Sequence, residues 1–215
     1  MPRRPLARPL TALALALGLA ACASGPPPWR PFRLAAPGGA ASVRQALPGV
    51  EIELTPLDAA GRRTWLREHL GVTRDPLAAI PHGERLVTIA ARFRSTGALP
   101  VHVETGAIRL VPDRGHWPVA PLDYTRAWEA LRPDRETGPR REAVDRFMRG
   151  LLDGPVDLRR PGETREGLLV FPEPDRESRA LALEIPFVQV GSTTHRVRVP
   201  FLKVFPAEDH GGRRQ

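Results

Sequence analysis

Alternating apolar and polar residues predict a series of short strands. The clearest runs over 86–94, where odd-numbered positions from Val87 to Phe93 are apolar and most even-numbered positions are polar. Pro200 predicts that the last strand, or half of it, lies at a sheet edge or carries a bulge. Seven to nine short strands without regular helix–strand alternation predict an antiparallel β-sandwich or barrel, and argue against a parallel α/β sheet. The other predicted strands are 50–54, 101–103, 108–111, 168–171, 180–185, 187–190 and 195–205.

Apolar residues at helical spacing predict three helices, over 61–71, 122–131 and 140–152. The second and third interrupt the strand pattern and form a two-helix insertion, about 122–152, within residues 121–160. Two interpretations of their apolar faces remain open: they cap an open end of the sandwich, or part of them meets a partner protein. The residues that form this candidate partner surface are Tyr124, Trp128, Phe147, Met148 and Leu151.

The N-terminus has the pattern of an export signal. Three arginines in residues 1–8 precede an apolar run from Leu10 to Ala21, which is too short to cross a bilayer. The run ends at Leu19-Ala20-Ala21-Cys22, and Cys22 is the only cysteine of the chain. These residues resemble the lipobox of bacterial lipoproteins. The resemblance implies that residues 1–21 are removed, and that the thiol and the freed amine of Cys22 are both acylated.

Lipidation at Cys22 would make the membrane a permanent partner, because one acyl chain binds only marginally and several chains hold firmly. The residue after Cys22 is Ala23 and not Asp. In Gram-negative lipoproteins this implies sorting to the outer membrane, on the side that faces the periplasm. Two alternatives stay open. One is an ordinary signal peptide followed by an incidental cysteine, and the other is a twin-arginine signal at Arg3-Arg4.

The rest of the chain divides into a tether, a folded domain and a tail. Residues 22–45 are predicted to be a Pro-rich tether, with polyproline II structure at 26–28. Trp29 and Phe32 lie either at the lipid interface or docked on the domain. Residues 46–206 form the predicted β-sandwich domain, and 207–215 form a polar tail.

Three segments carry a second resemblance: Leu86 to Gly97, Ala107 to Trp117, and Pro161 to Phe171 with its Pro-Gly-Glu start. Their order is similar to that in the DUF4352-like domains of bacterial envelope lipoproteins. The resemblance covers about 85–205 and implies an immunoglobulin-like sandwich with a binding or scaffolding role. The Pro161-Gly162-Glu163 sequence is itself a turn signal rather than a site of chemistry.

Charge adds little to this picture. The 215 residues carry a net charge of +8, which falls to +5 when residues 1–21 and their three arginines are removed. Arginines of the insertion alternate with acidic residues, which favours a solvated, salt-bridged face and argues against nucleic-acid binding. A less balanced patch at Arg159, Arg160 and Arg165 is a candidate contact for lipid phosphates or an acidic glycan.

No pattern indicates a cofactor or a catalytic site. Ser192 and His195 lie in a sequence typical of a polar turn between strands, and no Gly-x-Ser-x-Gly motif is present. We therefore expect a non-enzymatic, membrane-anchored binding or scaffolding module of the cell envelope. The alternative is an envelope enzyme or metal-binding protein that uses His102, Glu104 and His116, although a solvated strand face is the favoured explanation of the first two.

Overall fold

A computed structural model describes residues 29–80, 82–114, 117–132, 137–174 and 176–205. Ten strands and three α-helices form in these ranges. The strands are β1 (Arg33–Ala35), β2 (Val43–Leu47), β3 (Val50–Leu57), β4 (Val87–Ser95), β5 (Val101–Val103), β6 (Arg109–Pro112), β7 (Val156–Leu158), β8 (Thr164–Phe171), β9 (Ala180–Val190) and β10 (Thr193–Val204). The helices are α1 (Ala59–Leu70), α2 (Tyr124–Leu131) and α3 (Gly138–Arg149).

The strands form two antiparallel sheets. Sheet A has the order β1-β10-β9-β5-β7, with β6 also paired to β9, and sheet B has the order β2-β3-β4-β8. The inner faces of both sheets contribute to one buried cluster, which includes Ile52 and Phe93 from sheet B and Leu183 and Phe201 from sheet A. The predicted antiparallel β-sandwich with a two-helix insertion is thereby confirmed.

Pro200 lies at an open sheet edge, which is one of the two alternatives that the sequence predicted. Pro200 pairs with Ala182 of β9, whereas β1 pairs only with positions 202–204 of β10, so Pro200 faces an open edge among the described strands. A bulge is also present, but it lies in β9, far from Pro200. The register shifts between His195 and Val197, so that Pro186 and Phe187 of β9 lie opposite the single residue Arg196.

A second apolar cluster lies on the outer face of sheet B and holds all three helices. In β8, Leu169 and Phe171 face the sandwich interior, while Leu168 and Val170 face outward into this second cluster. The last residues of β8 are therefore buried on both faces. The helical cluster consists of Trp65, Leu66, Val72, Leu77, Ala90, Ala127, Leu131, Val144, Phe147, Met148, Leu151, Leu168 and Val170.

Helix α1 begins and ends with sequence-encoded caps. The Asp58 carboxylate accepts a hydrogen bond from the Gly61 N–H at 2.7 Å, and Gly71 ends the helix in the left-handed conformation, with φ 63°. The sequence predicted the end at Gly71 but began the helix two residues late, because it did not identify Asp58 as the cap.

Helix α3 ends earlier than predicted. It stops at Arg149, and Leu151 and Leu152 run beside β8, with the Leu152 N–H donating to the Leu168 carbonyl at 3.0 Å. Leu151 enters the helical cluster and Leu152 the main core, so the two side chains point in opposite directions, as in a strand. The apolar spacing that predicted a helix to 152 instead fills both cores. Residues 156–158, also within the predicted insertion, form β7.

The folded domain begins earlier than predicted. The tether was placed at 22–45, but β1 at Arg33–Ala35 belongs to sheet A and β2 at Val43–Leu47 to sheet B. Strand β1 was missed because its three residues lie in a Pro- and Gly-rich stretch whose composition is typical of a tether. The predicted tail at 207–215 lies outside the described residues.

Gly167 lies where residues 150–152 run beside β8, and we predict that a larger side chain fits poorly there. An added Cβ would lie 2.7 Å from the Gly150 carbonyl oxygen and 2.8 Å from Leu152 Cγ. We expect Gly167→Ala to lower the free energy of unfolding by about 1–3 kcal/mol, the usual cost of overpacking. Urea denaturation followed by circular dichroism measures this change.

Gly154→Ala is the matched control, because a Cβ at Gly154 meets nothing within 4 Å. A Gly167→Ala variant as stable as the Gly154→Ala variant would show that this position has room for a methyl group.

Candidate functional site

The predicted signal peptide and Cys22 lie outside the described residues. The first described residue is Trp29, which follows Cys22 by seven positions. No helix among the described residues has the length and apolar character needed to cross a membrane. What the structure does show is how the chain next to the predicted lipid attachment joins the domain.

Residues 29–35 are built into the sandwich rather than extended away from it. Strand β1 pairs antiparallel with the end of β10, in the register Arg33 to Val204 and Ala35 to Leu202. Trp29 and Phe32 are half-buried, and Phe32 packs against the main core. Of the two placements open for these aromatic residues, the structure shows docking on the domain.

Trp29 is docked through an arginine. The Arg85 guanidinium carbon lies 5.4 Å from the Trp29 ring centroid, within the range of a cation–π contact. Arg85 also forms an ion pair with Glu173 at 3.4 Å, and Arg176 reaches the same carboxylate at 2.8 Å. The indole Nε1 of Trp29 is buried and has no hydrogen-bond partner among the described residues.

Phe32 is docked through a lysine and a second phenylalanine. The Phe32 and Phe205 ring centroids are 6.2 Å apart, with an interplanar angle of 55°. The ammonium of Lys203, the only lysine of the chain, lies 4.8 Å from the Phe32 ring and is largely buried. Phe205 keeps 41% of its surface exposed.

We call this region, formed by Trp29, Phe32, Arg85, Glu173 and Phe205, the Trp29 end of the sandwich. Two open clefts flank the docked segment. One, of about 220 Å³, lies between Trp29 and Phe205, and the other, of about 210 Å³, lies between Phe32 and the start of α1. The walls combine aromatic rings with arginines, lysine and glutamate.

The predicted metal site is incomplete in the described structure. His102 Nδ1 lies 2.8 Å from an oxygen of Asp157, its cross-strand neighbour on β7. Glu104 instead accepts a hydrogen bond from the Gly106 N–H at 3.3 Å, as the cap of a short 3₁₀ turn. His116 lies outside the described residues. Among the residues that are described, no three His, Cys, Asp or Glu side chains are grouped so as to hold a metal ion.

Ser192 and His195 lie at the hairpin between β9 and β10. Gly191 adopts φ 59°, Ser192 is exposed, and His195 pairs with Val188 across the hairpin. The polar turn that the sequence predicted is the arrangement seen.

The candidate partner surface on the insertion is mostly buried, and this part of the prediction is wrong. Phe147, Met148 and Leu151 have relative exposures of 0%, 4% and 3%, because α3 packs them against the outer face of sheet B. Tyr124 is 48% exposed, and its ring stacks on the half-buried Trp128 with centroids 5.7 Å apart. The helices cover a sheet face rather than an open end of the sandwich.

Ion pairs on α3 match the predicted salt-bridged face. Glu142 pairs with Arg146, and Arg141 with Asp145 at 3.8 Å, each four positions apart. Glu142 is exposed, whereas Arg141, Asp145 and Arg146 are half-buried at the border of the apolar face. Such surface pairs contribute little to stability.

The helices cover only part of the outer face of sheet B. On the uncovered part, residues of opposite charge are neighbours on adjacent strands. Arg44, Glu53, Arg92 and Glu166 lie side by side on four neighbouring strands. Burial raises the pKa of Glu53, but hydrogen bonds from Ser42 and Arg44 and the charges of Arg44 and Arg92 outweigh it, so the net pKa is lowered. Glu166 further accepts a hydrogen bond from Trp65 Nε1 at 3.2 Å.

A buried ion pair that the sequence did not reveal lies under the helical cluster. The Arg62 guanidinium contacts the Asp75 carboxylate at 2.7 Å and donates to the Thr88 hydroxyl at 3.3 Å. Both charged side chains are almost completely buried, at 4% and 1% exposure. The sequence contained an indication that Arg62 is buried, because Arg62 lies on the same helix face as the apolar residues Trp65 and Leu66, at i, i+3 and i+4.

The turn at Pro161-Gly162-Glu163 is structural, as its sequence indicated. Gly162 has φ 79°, and the Glu163 carboxylate accepts hydrogen bonds from the N–H groups of Arg159 and Arg160 at 2.6 and 3.0 Å. These bonds, together with the nearby arginine charges, lower the pKa of Glu163. The Arg159 and Arg160 side chains remain exposed, at the end of the sandwich opposite the Trp29 end.

Comparison with known proteins shows no family for this chain. Neither a protein-family model nor a curated protein matches the sequence. A functionally unknown protein from Listeria monocytogenes EGD-e has a similar crystal structure, with a TM-score of 0.36 and 12% identity. The alignment covers 79% of this chain and 84% of that chain. So distant a similarity transfers neither fold nor function.

Loss of the Asp75 charge is predicted to destabilise the protein strongly. Asp75→Asn leaves the Arg62 guanidinium buried without its counter-charge, which costs about 3–5 kcal/mol in comparable sites. Thermal or urea unfolding measures the change. Asp153→Asn, at an exposed carboxylate, is the control and should have little effect. Equal stability of the two variants would mean that water reaches Arg62.

The turn at Glu163 is predicted to weaken in acid. Because the folded-state pKa is lowered, the carboxylate stabilises the fold above its unfolded-state pKa, and this contribution is lost as the pH falls through the folded-state pKa. The stability difference between the native chain and Glu163→Gln should be constant near neutral pH and shrink below about pH 4. A difference that does not change with pH would contradict the assignment.

Proposed function

We propose that this chain is a lipoprotein of the bacterial cell envelope, held by an acylated Cys22 and acting as a non-enzymatic binding or scaffolding module. The observation that carries the proposal is the placement of the segment after the lipobox. Only residues 23–28 separate Cys22 from Trp29, and from Trp29 onward the chain is docked on the sandwich. An anchor at Cys22 would therefore act directly on the folded domain.

The contacts of the docked segment suit that role. Strand β1 is hydrogen-bonded to β10, and the two aromatic side chains ahead of it are held by Arg85 and Lys203. A spacer with no structural task would not need these contacts. The residues that join the predicted anchor to the domain are thus part of the fold, as expected for a protein whose position at a membrane matters.

The proposed location is the periplasmic side of the outer membrane, from Ala23 after the cysteine. Of the surface first considered for an envelope partner, Tyr124 and the exposed part of Trp128 remain accessible. A binding role at the insertion would have to use these two rings, together with the charged side of α3.

Lipidation at Cys22 is tested by intact mass and membrane partition. The protein extracted from membranes of a Gram-negative host should have a mass that corresponds to a chain starting at Cys22, increased by the mass of a diacylglyceryl group and an acyl chain. Cys22→Ala should remove this added mass and release the protein from the membrane fraction.

Ala23→Asp keeps the cysteine and serves as the matched variant. It should remain acylated but move from the outer to the inner membrane fraction. Full membrane attachment of Cys22→Ala, or an unmodified Cys22 in the native chain, would overturn the proposal.

A further inference from the structure

We propose that the Trp29 end of the sandwich faces the anchoring membrane and lies against its phosphate-bearing lipid headgroups, with the opposite end directed away. The inference rests on the acylation of Cys22 proposed above. It adds which face of the domain meets the bilayer, and it is carried by the length of chain between the anchor and the first docked residue.

That length is short. Seven Cα–Cα steps lead from Cys22 to Trp29, so this segment can reach at most about 25 Å even if it is fully extended. Because Trp29 is fixed over Arg85, the chain cannot gain reach without breaking this contact. The Trp29 end is therefore restricted to a layer next to the headgroups.

The opposite end of the sandwich is a full strand length away from the Trp29 end. It consists of the turns at 47–50, 95–101 and 190–193 and the Glu163 turn, which are joined by hydrogen bonds such as that from the Thr96 N–H to the Gly49 carbonyl at 2.9 Å. Strand β10 runs from this end to the Trp29 end through 12 residues, which corresponds to roughly 40 Å at about 3.3 Å per residue. The opposite end thus lies farther from the attachment point than the Trp29 end does, by up to about the length of this strand.

The surface at the Trp29 end suits lipid headgroups. Phe205 is partly exposed beside Phe32, and the arginines at 30, 33, 176 and 179 are exposed around it. Guanidinium groups form strong hydrogen bonds with phosphates, and an aromatic ring is favoured at the interface. Acidic residues are interleaved, including Glu84 and Glu177, so charge alone would give only weak attraction. Tether length, rather than charge, sets the contact.

The test uses the full lipidated chain with one added cysteine. Since Cys22 is the only native cysteine and its thiol is consumed by acylation, an added cysteine is the only thiol open to a maleimide dye. Glu84→Cys places the dye at the Trp29 end, and Ser192→Cys places it on the opposite turn; both positions are exposed. Each protein is reconstituted in vesicles of phosphatidylethanolamine and phosphatidylglycerol that contain a headgroup-labelled acceptor lipid.

We expect energy transfer from position 84 to be several-fold greater than from position 192, and to change little when the salt concentration is raised, because the contact is imposed by a covalent anchor. Inserting a long Gly-Ser linker between Ala23 and Ser24 should remove most of the difference between the two positions. Equal or reversed transfer in the native-length protein, or a difference that survives the linker, would overturn the inference.

Vesicle flotation separates this inference from the proposal on which it rests. A protein that fails to float with the vesicles and carries no acyl mass refutes lipidation itself. A protein that floats, carries the acyl mass and shows equal transfer from both dyes refutes only the orientation.

Discussion

The burial of the first half of β4 and the last half of β8 on both faces is the constraint on which the rest of this structure depends. In most sandwiches one face of each sheet is solvated and the strand sequence alternates. Here Leu168 to Phe171 is a continuous apolar run, and its outward residues would be exposed without the helices. The insertion is therefore part of the fold, because it covers a sheet face that cannot stand in water.

The helices also bury a polar group, the Thr88 hydroxyl, and the Arg62–Asp75 pair offsets the free-energy cost of its burial. Thr88 lies on the outer face of β4 and is buried by the helices, so its hydroxyl needs a partner. Arg62 supplies one and brings a charge that needs Asp75 in turn. The Asp75 carboxylate also accepts from the Leu77 N–H, which fixes the short turn under α3. One buried hydroxyl thus links α1, β4 and the 75–79 turn.

The sequence predicted the sandwich, the main strands and all three described helices, because their apolar residues recur at strand or helix spacing. It missed β1, β2 and β7, and it extended α3 to Leu152. In each case the reason is local. Strands β1 and β2 begin within the stretch that was predicted to be a tether, and β7 lies within the predicted insertion. Leu151 and Leu152 satisfy helical spacing while each fills a different core. The prediction that Phe147, Met148 and Leu151 belong to a partner surface was wrong because helical spacing shows that a helix has an apolar face but not what covers that face.

The site at the Trp29 end was beyond prediction because its partners are distant in sequence. Trp29 meets Arg85, and Phe32 meets Lys203 and Phe205, so only the closed sandwich brings them together. Their arrangement also has a mechanical consequence under the proposed anchoring. Strand β1 follows these contacts in the chain and pairs with the end of β10, so a pull from Cys22 would reach Trp29 and Phe32 before it reached the strand. The aromatic contacts would therefore protect the three-residue strand, because they connect the proposed anchor to the sandwich ahead of it.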